Sequence, residues 1–581
     1  MGTAGMDAPR HKLSAGQLVT NYQAELEYLQ KEKLLNRIWA QDLSLWPAEE
    51  GGERRLRANL EFLQLPERIF RLTESTLRME GEAQSEGLTQ RLFIAFESVL
   101  PFCETVLHLR EDKESLKCVA LESCLPSTIR HAEKQVDFAK TLLLFVNKSG
   151  YRLEDHALFL YFQKKLQVEL GGEYARHFAA SSERKTYLTA VAQEYGFRFV
   201  QELPARILPT YTAVLDLAVL LLVFAKLDPE VVRICCREMK KEYSEGEEGR
   251  RNPVVEAAAF LTATARSGRK MLAILAPRAL APYGDSLCQL IGGSLGQGEA
   301  GLYPLQLTSP CATEALEKNA SAVVLRQGGQ DDAHTEAVLG ELEGRGIPFL
   351  SVPVADPLDL LRQTYLWQIA TALAASRLDI DPFNGGEARL PRSLANEMLN
   401  HLSPHKNTLE RRPWMREGNL LLFAEARARQ EISQLNLVEC LASFWARRDG
   451  AKYVGFYVFL EPKEETKRSF EALRDQISQR LDRPVLLTWG PRSLDRYGYF
   501  MREDSPRGLH LVVTGEPAQD IKIPGAGYSF GQLYRAIALG QFEALSNQGG
   551  LALRLHAASA EVDGPAELTH AFQQALRRVR S

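Results

Sequence analysis

The stretch that most constrains this chain is TLLLFVNKSGYRLED, residues 141–155. An apolar, β-rich run stops at Lys148-Ser149-Gly150 and leads into residues of helical character. A strand that turns into a helix leaves unpaired N–H groups at the helix start, where the positive end of the helix dipole also points. A hydroxyl and a cation stand at the same place, a combination suited to phosphate. An ordinary strand-to-helix turn has the same pattern, so both readings stand on these residues alone.

The remaining chain continues the alternation. Residues 17–65 read as helical, and 92–100, 117–121 and 142–146 are candidate strands with helical segments between them. This is the pattern of a parallel sheet covered by helices. The charged stretch KKEYSEGEEGRR (240–251) reads as a solvated linker to a second set of strands at 270–276, 322–325 and 348–354. A third set follows at 452–460, 484–490, 508–515 and 551–557, and no repeat of 20–50 residues is evident.

Composition narrows the function classes. A length of 581 residues suffices for about three or four domains. The net charge of −4 gives no global attraction to nucleic acid. Eight cysteines without a CxxC pair suggest neither a zinc site nor a disulfide framework, and adjacent Cys235 and Cys236 read as packing. The N-terminus lacks an apolar signal core. The run at 213–224 is too short to span a bilayer and carries Asp216, so it reads as a buried helix. These features set the expectation of a cytoplasmic protein with no membrane or nucleic-acid partner.

Seven landmarks stand in order: NRIWAQDLSLW (36–46), FVNKSG (145–150), Gly196-Phe197-Arg198-Phe199 followed by Pro209, QLIGGSLGQGEAGLYP (289–304), DIDPFNGGE (379–387), TWGPRSL (488–494) and IPGAGYSFGQLYRAIALG (523–540). Together they resemble phosphoglucose isomerase, most nearly the isomerase half of bacterial transaldolase–phosphoglucose isomerase fusions. The resemblance spans nearly the whole chain. It implies an α/β fold of two sugar-isomerase (SIS) domains with parallel sheets flanked by helices, plus a smaller C-terminal α/β region. The expected divisions are 1–60 (helical), 61–240 and 252–440 (SIS-like), and 441–581. The resemblance further implies sugar phosphate bound between the two domains and a homodimer. It suggests a separate transaldolase as partner, and neither a metal nor any other cofactor.

That family interconverts glucose 6-phosphate and fructose 6-phosphate through a cis-enediol. The reaction takes a carboxylate to move the proton, a cation to stabilise the enediolate, and a phosphate cradle. Here Gly292-Gly293-Ser294 stands where the resemblance implies a Glu-Ser pair, with Gly293 at the glutamate's position. Glycine cannot transfer a proton, and loss of a general base costs about 10²–10⁴ in rate. In the stretch matching the family's first Gly-rich loop, Phe96 and Glu97 replace small residues. Lys148, Ser149 and Gly150 match its phosphate loop, but the Thr-Thr pair that follows has become Tyr151-Arg152. Arg198 matches the enediolate-stabilising arginine, with a structural ion pair at a domain seam as its alternative role. Arg392 replaces one lysine and Arg502 another, while Asp495 and Met501 replace histidines. His401 and His405 have helical metal spacing, but Pro404 between them favours a loop.

The site implied is therefore Arg198 and Arg392 as catalytic cations, with Lys148, Ser149, Gly150, Arg152, Ser294 and Arg502 binding substrate. The scaffold motifs persist while the proton-transfer groups are missing. This leads to the expectation of a protein that binds a sugar phosphate or related anion, with isomerase activity lost or impaired. An active isomerase using Glu299, Glu97 or an acid from a neighbouring subunit is one alternative; a purely structural subunit is another.

Overall fold

Each candidate strand picked out above contains a strand in the computed structural model, which describes residues 11–579 apart from 49–50, 96–98, 111–116, 122, 151, 224, 246–251, 308–318, 328–331, 385–388, 403–408, 410–411, 433–434, 495–496 and 559–563. The chain forms two compact units. One holds the chain up to Arg78, Pro101–Lys113 and Arg206–Asn384; the other holds Met79–Leu100, Glu114–Ala205 and the chain from Gly385 onward. Compactness thus cuts across the contiguous domains expected at 61–240 and 252–440. The Pro209–Val223 helix packs with the Pro357–Leu378 helix of its own unit, where Gln368 Nε2 donates to the Thr210 carbonyl at 2.7 Å.

The first unit carries one sheet of β1 (Lys12–Ser14), β7 (Met271–Leu275), β8 (Tyr303–Leu307), β9 (Ala320–Arg326) and β10 (Phe349–Pro353), in the order β1-β10-β9-β7-β8. All neighbours are parallel except β1, which runs antiparallel on β10. The second unit carries two sheets. One is wholly parallel: β2 (Gln90–Ala95), β3 (Lys117–Leu121), β4 (Thr141–Val146), β5 (Phe178–Glu183) and β6 (Phe199–Leu203), in the order β3-β2-β4-β5-β6. The other comprises β11 (Met415–Glu417), β12 (Leu420–Ala424), β13 (Tyr453–Phe459), β14 (Val485–Trp489), β15 (Gly508–Gly515) and β16 (Leu551–Ala557), in the order β11-β12-β16-β15-β13-β14. Its last four strands pair in parallel. Every residue of β7, β13 and β16 is buried, which requires helices on both faces.

One winding recurs. In each sheet, four successive parallel strands lie in the spatial order second, first, third, fourth. Their first strands begin at near-equal intervals, at Gln90, Met271 and Tyr453. After such a winding, the connections leave the first and third strands in opposite directions. This opens a crevice beyond their carboxyl ends, the usual ligand position in open α/β sheets. The C-terminal region is thus a third sheet of the same kind, with its two antiparallel edge strands drawn from 415–424.

Two sequence expectations change. The run at 92–100 is a strand only to Ala95, and Val99–Leu109 is helix. The charged stretch at 240–251 is not a loop in its first half: Lys240–Glu245 completes the Pro229–Glu245 helix, and 246–251 lie outside the described residues. That helix buries Val232, Cys235, Cys236, Met239 and Tyr243 on one face, a helical period that accommodates the charges on the other. The apolar run beginning at 213 is a core helix, as expected, and no helix among the described residues is long and apolar enough to cross a membrane.

In the second unit, the Leu390–Asn400 and Phe530–Asn547 helices meet at Gly540. A Cβ at Gly540 would stand 2.0 Å from the Pro391 carbonyl oxygen, a backbone atom with no freedom to turn away. Gly540→Ala is expected to cost about 1–3 kcal/mol or more, read as a lowered urea midpoint. An unchanged midpoint would show that the two helices can separate freely.

Candidate functional site

In the all-parallel sheet, the crevice lies beyond the carboxyl ends of β2 and β4. The β2 side, with Phe96 and Glu97, lies outside the described residues. The β4 side is the Lys148-Ser149-Gly150 turn. Asn147 continues the ladder, donating its N–H to the Ser181 carbonyl at 3.0 Å, and its side chain then organises the turn. Its Oδ1 accepts from Gly150 N at 3.0 Å and from Ser149 Oγ at 3.1 Å, while Nδ2 donates to Asp155 Oδ2. Gly150 has φ +64°, and a Cβ there would lie 2.3 Å from Thr186 Cβ. No other residue fits that turn. Thr186 caps the Tyr187–Glu194 helix and bonds Ser182 Oγ at 2.9 Å, so the turns after β4 and β5 interlock.

Lys148 and Arg392 each meet an acid of the protein itself. Lys148 is only 6% exposed, and its Nζ donates to Glu183 Oε1 and the Pro204 carbonyl. Buried Arg152 is the N-cap residue of the Leu153–Leu170 helix, whose first turn holds Glu154 and Asp155. Those carboxyls already occupy the positive end of that helix. Glu154, fully buried, takes Arg392 in a fork, Nε to Oε1 at 3.0 Å and Nη2 to Oε1 at 2.9 Å. Removing one partner of a buried pair like this costs about 3–5 kcal/mol, because the other charge is stranded. Burial pushes the Asp155 carboxyl up to about 7, against the pull of the Arg152 charge. Its Oδ1 has no hydrogen-bond partner among the described residues. Burial, and then the Glu154 charge, push the Cys124 thiol up as well, so it is no nucleophile.

The turn therefore brings together Lys148, Ser149, Gly150, Arg152 and Arg392 from the expected set. Arg198 is not with them. It precedes β6, and its N–H donates to the Phe178 carbonyl at the start of β5, which places it at the amino edge of the sheet. The turn is at the carboxyl edge, roughly 16 Å away at about 3.3 Å per strand residue. The Arg198 guanidinium forks onto Glu86, with Nη1 to Oε1 at 2.9 Å, and Nε donates to the Arg176 carbonyl at 2.9 Å. That pairing holds the Glu86 carboxyl below its usual range. It is a structural ion pair, as in the alternative reading, but it lies within the second unit and not at a domain seam.

Ser294 belongs to the first unit. With Gly293 it is buried inside the Ala281–Leu295 helix rather than in the loop the motif implied. Leu287, Leu290, Ile291 and Leu295 recur there at helical spacing, all buried. Ser294 Oγ lies 3.2 Å from the Tyr211 hydroxyl, beside the Phe62, Tyr211 and Phe383 rings. Glu299 is exposed on the turn beyond that helix. Arg502, 2% exposed, donates from Nη1 to the Leu494 carbonyl at 3.0 Å and Gln541 Oε1 at 2.9 Å, anchoring its own segment. Tyr151, Asp495, His405 and 385–387 lie outside the described residues. Among the described residues, no group of His, Cys, Asp or Glu is placed to hold a metal ion.

Sequence reasoning missed Glu183, Glu154 and Asp155. The two acids of the helix start are visible in the sequence, but their burial is not. Glu183 ends FAASSE, a strand too polar to be recognised as one.

No protein-family model matches the chain, and no curated protein matches its sequence. Among solved structures, it is similar to hypothetical protein TT0462 from Thermus thermophilus, at 18% identity with a TM-score of 0.55, over 67% of this chain and 100% of that one. A glucose-6-phosphate isomerase from Chlamydia trachomatis matches at 14% identity with a TM-score of 0.47, over 63% and 78% of the two chains. The tagatose-6-phosphate ketose/aldose isomerase of Escherichia coli matches at 12% identity with a TM-score of 0.40, over 57% and 95%. At 18% identity the likeness to the Thermus protein is one of fold. The class so defined is α/β, with parallel sheets flanked by helices, as the sequence led one to expect.

Asp155 should leave a signature in the pH dependence of stability. Its folded pKa of about 7 exceeds the ordinary 3.8, so between those values the native state binds more protons than the unfolded chain. Stability then falls as pH rises through that window and levels off above it. Asp155→Asn is expected to flatten that slope between about pH 4 and 7 in denaturant titrations. An identical slope in the variant would show that Asp155 is ionised throughout.

Proposed function

We propose that this chain is an SIS-fold protein that binds a sugar phosphate or related anion at the 147–152 turn and has lost most of its isomerase activity. The position of the turn supports binding, since it stands at the crevice side of a parallel sheet, with the Ser149 hydroxyl and, beyond the engaged Lys148, the further cation Arg152. One observation supports the loss of turnover: two catalytic cations and one substrate-binding cation that the phosphoglucose isomerase resemblance implies are matched by acids of the protein itself. Lys148 meets Glu183, Arg392 meets Glu154, and Arg198 meets Glu86. A cation engaged in this way has little charge left for an enediolate. Gly293 supplies no base, and its helix is packed on every side.

A second reading, a slow aldose–ketose isomerase, is favoured by Asp155, whose pKa of about 7 suits a general acid–base. The homodimer and the separate transaldolase partner rest on the sequence resemblance alone, and the cytoplasmic location on composition and sequence pattern alone.

A coupled assay of fructose 6-phosphate conversion at high protein concentration tests the loss of activity. The expected result is no turnover above background, in the wild type and in Gly293→Glu alike. Turnover in the ordinary enzyme range of about 1–10³ s⁻¹ would overturn the reading, and its abolition by Asp155→Asn would identify the base. Binding is read separately: fructose 6-phosphate should raise the melting temperature, and Arg152→Gln should reduce the shift. No shift with any sugar phosphate would leave the structural-subunit alternative.

A further inference from the structure

In the first unit, a cleft of about 510 Å³ opens between the start of the Leu65–Ser85 helix and one flank of the Pro229–Glu245 helix. That volume lies in the range that accepts a small ligand. Arg233, Arg237, Lys240 and Lys241 all line it. Their spacing along the helix puts the four side chains on one side. Ser244 adds a hydroxyl on the next turn, and among the described residues the only lining carboxylates are Glu67 and Glu245. In a chain of net charge −4, this is a local excess of positive charge.

Two of the cations are already engaged. Lys240 Nζ donates to Glu67 and, at 2.9 Å, to Gln64 Oε1, and it stands 5.9 Å from the centre of the Trp39 ring. Arg233 forks onto Glu230 on its own helix. Arg237 and Lys241 are exposed and make no ion pair among the described residues. Pro66, Ile69 and Cys236 contribute apolar wall, and burial pushes the Cys236 thiol up, so the cleft's chemistry is that of its cations. A charged flank that faces solvent is ordinary. One that faces a cleft with apolar walls concentrates its field there.

We propose that this cleft is a second anion site, which takes a compact ligand bearing two linked phosphoryl groups. Arg237 and Lys241 stand one helical turn apart, about 5–6 Å between Cβ atoms, and can each meet one of the two groups. The Ser244 hydroxyl stands on the same wall, while the apolar wall receives whatever the phosphates are attached to. The cleft shares no residue with the 147–152 turn, so the proposal stands apart from the reading of that site.

Isothermal titration of the full chain with pyrophosphate at low salt tests it. One saturable binding event is expected, weakening as salt is raised. Replacing both Arg237→Gln and Lys241→Gln should weaken it by about tenfold or more without changing the melting temperature, because both side chains are exposed. Lys241→Gln alone, the milder change, should weaken it several-fold, and Arg152→Gln should leave it untouched. Absence of saturable binding, or equal affinity in the double variant, would overturn the proposal. So would loss of binding in Arg152→Gln alone, which would assign the anion to the turn instead.

Discussion

Lys148 carries a charge with almost no access to water, and a charge so placed has to be met by the protein. It is met by Glu183, at the end of β5, and by the carbonyl of Pro204, just past β6. One ammonium therefore ties the carboxyl ends of three neighbouring strands. The Asn147 clasp and the pressure of Thr186 on Gly150 then have a fixed frame to work within. The same feature that makes the turn rigid also lowers its net charge. A loop that looks in sequence like an open anion cradle is, in three dimensions, one whose cation is already engaged.

The three parallel windings explain how a long chain can present such places more than once. Each winding creates a crevice at the ends of its first and third strands by topology alone. What fills that crevice depends on the side chains. In the second unit the C-terminal winding has Phe459 and Thr514 at the corresponding strand ends, with Tyr534 and Arg535 of the Phe530–Asn547 helix against them, and the space left is about 10 Å³, no more than one water occupies. The winding alone does not make a site.

Much of this was legible in the sequence. Strands such as β4, β13 and β15 are apolar and β-branched, and they stand out without help. β5 and β8 do not: FAASSE is small and polar, and YPLQL carries a proline, so only their place in a sheet makes them strands. The recurrence was invisible because its period far exceeds a supersecondary repeat, and because it is kept by winding rather than by residue identity. At the candidate site, the residues of the turn were legible because they are contiguous. The carboxylates that neutralise the cations were not, since Glu183 lies 35 positions from Lys148 and Glu154 lies 238 from Arg392. Ion pairs of that separation have no local signal.

The sheets differ in what closes the side beyond their fourth strand. The all-parallel sheet continues into β6 and the C-terminal sheet into β12, both strands of five residues. The first unit's sheet relies on β1, three residues pairing antiparallel with Phe349, Leu350 and Ser351. The strand it pairs with is buried and extended along its whole length, and an uncovered edge of that kind is the template on which foreign chains add themselves. The segment around Lys12 thus pairs the backbone groups that this edge of β10 would otherwise leave open to another strand.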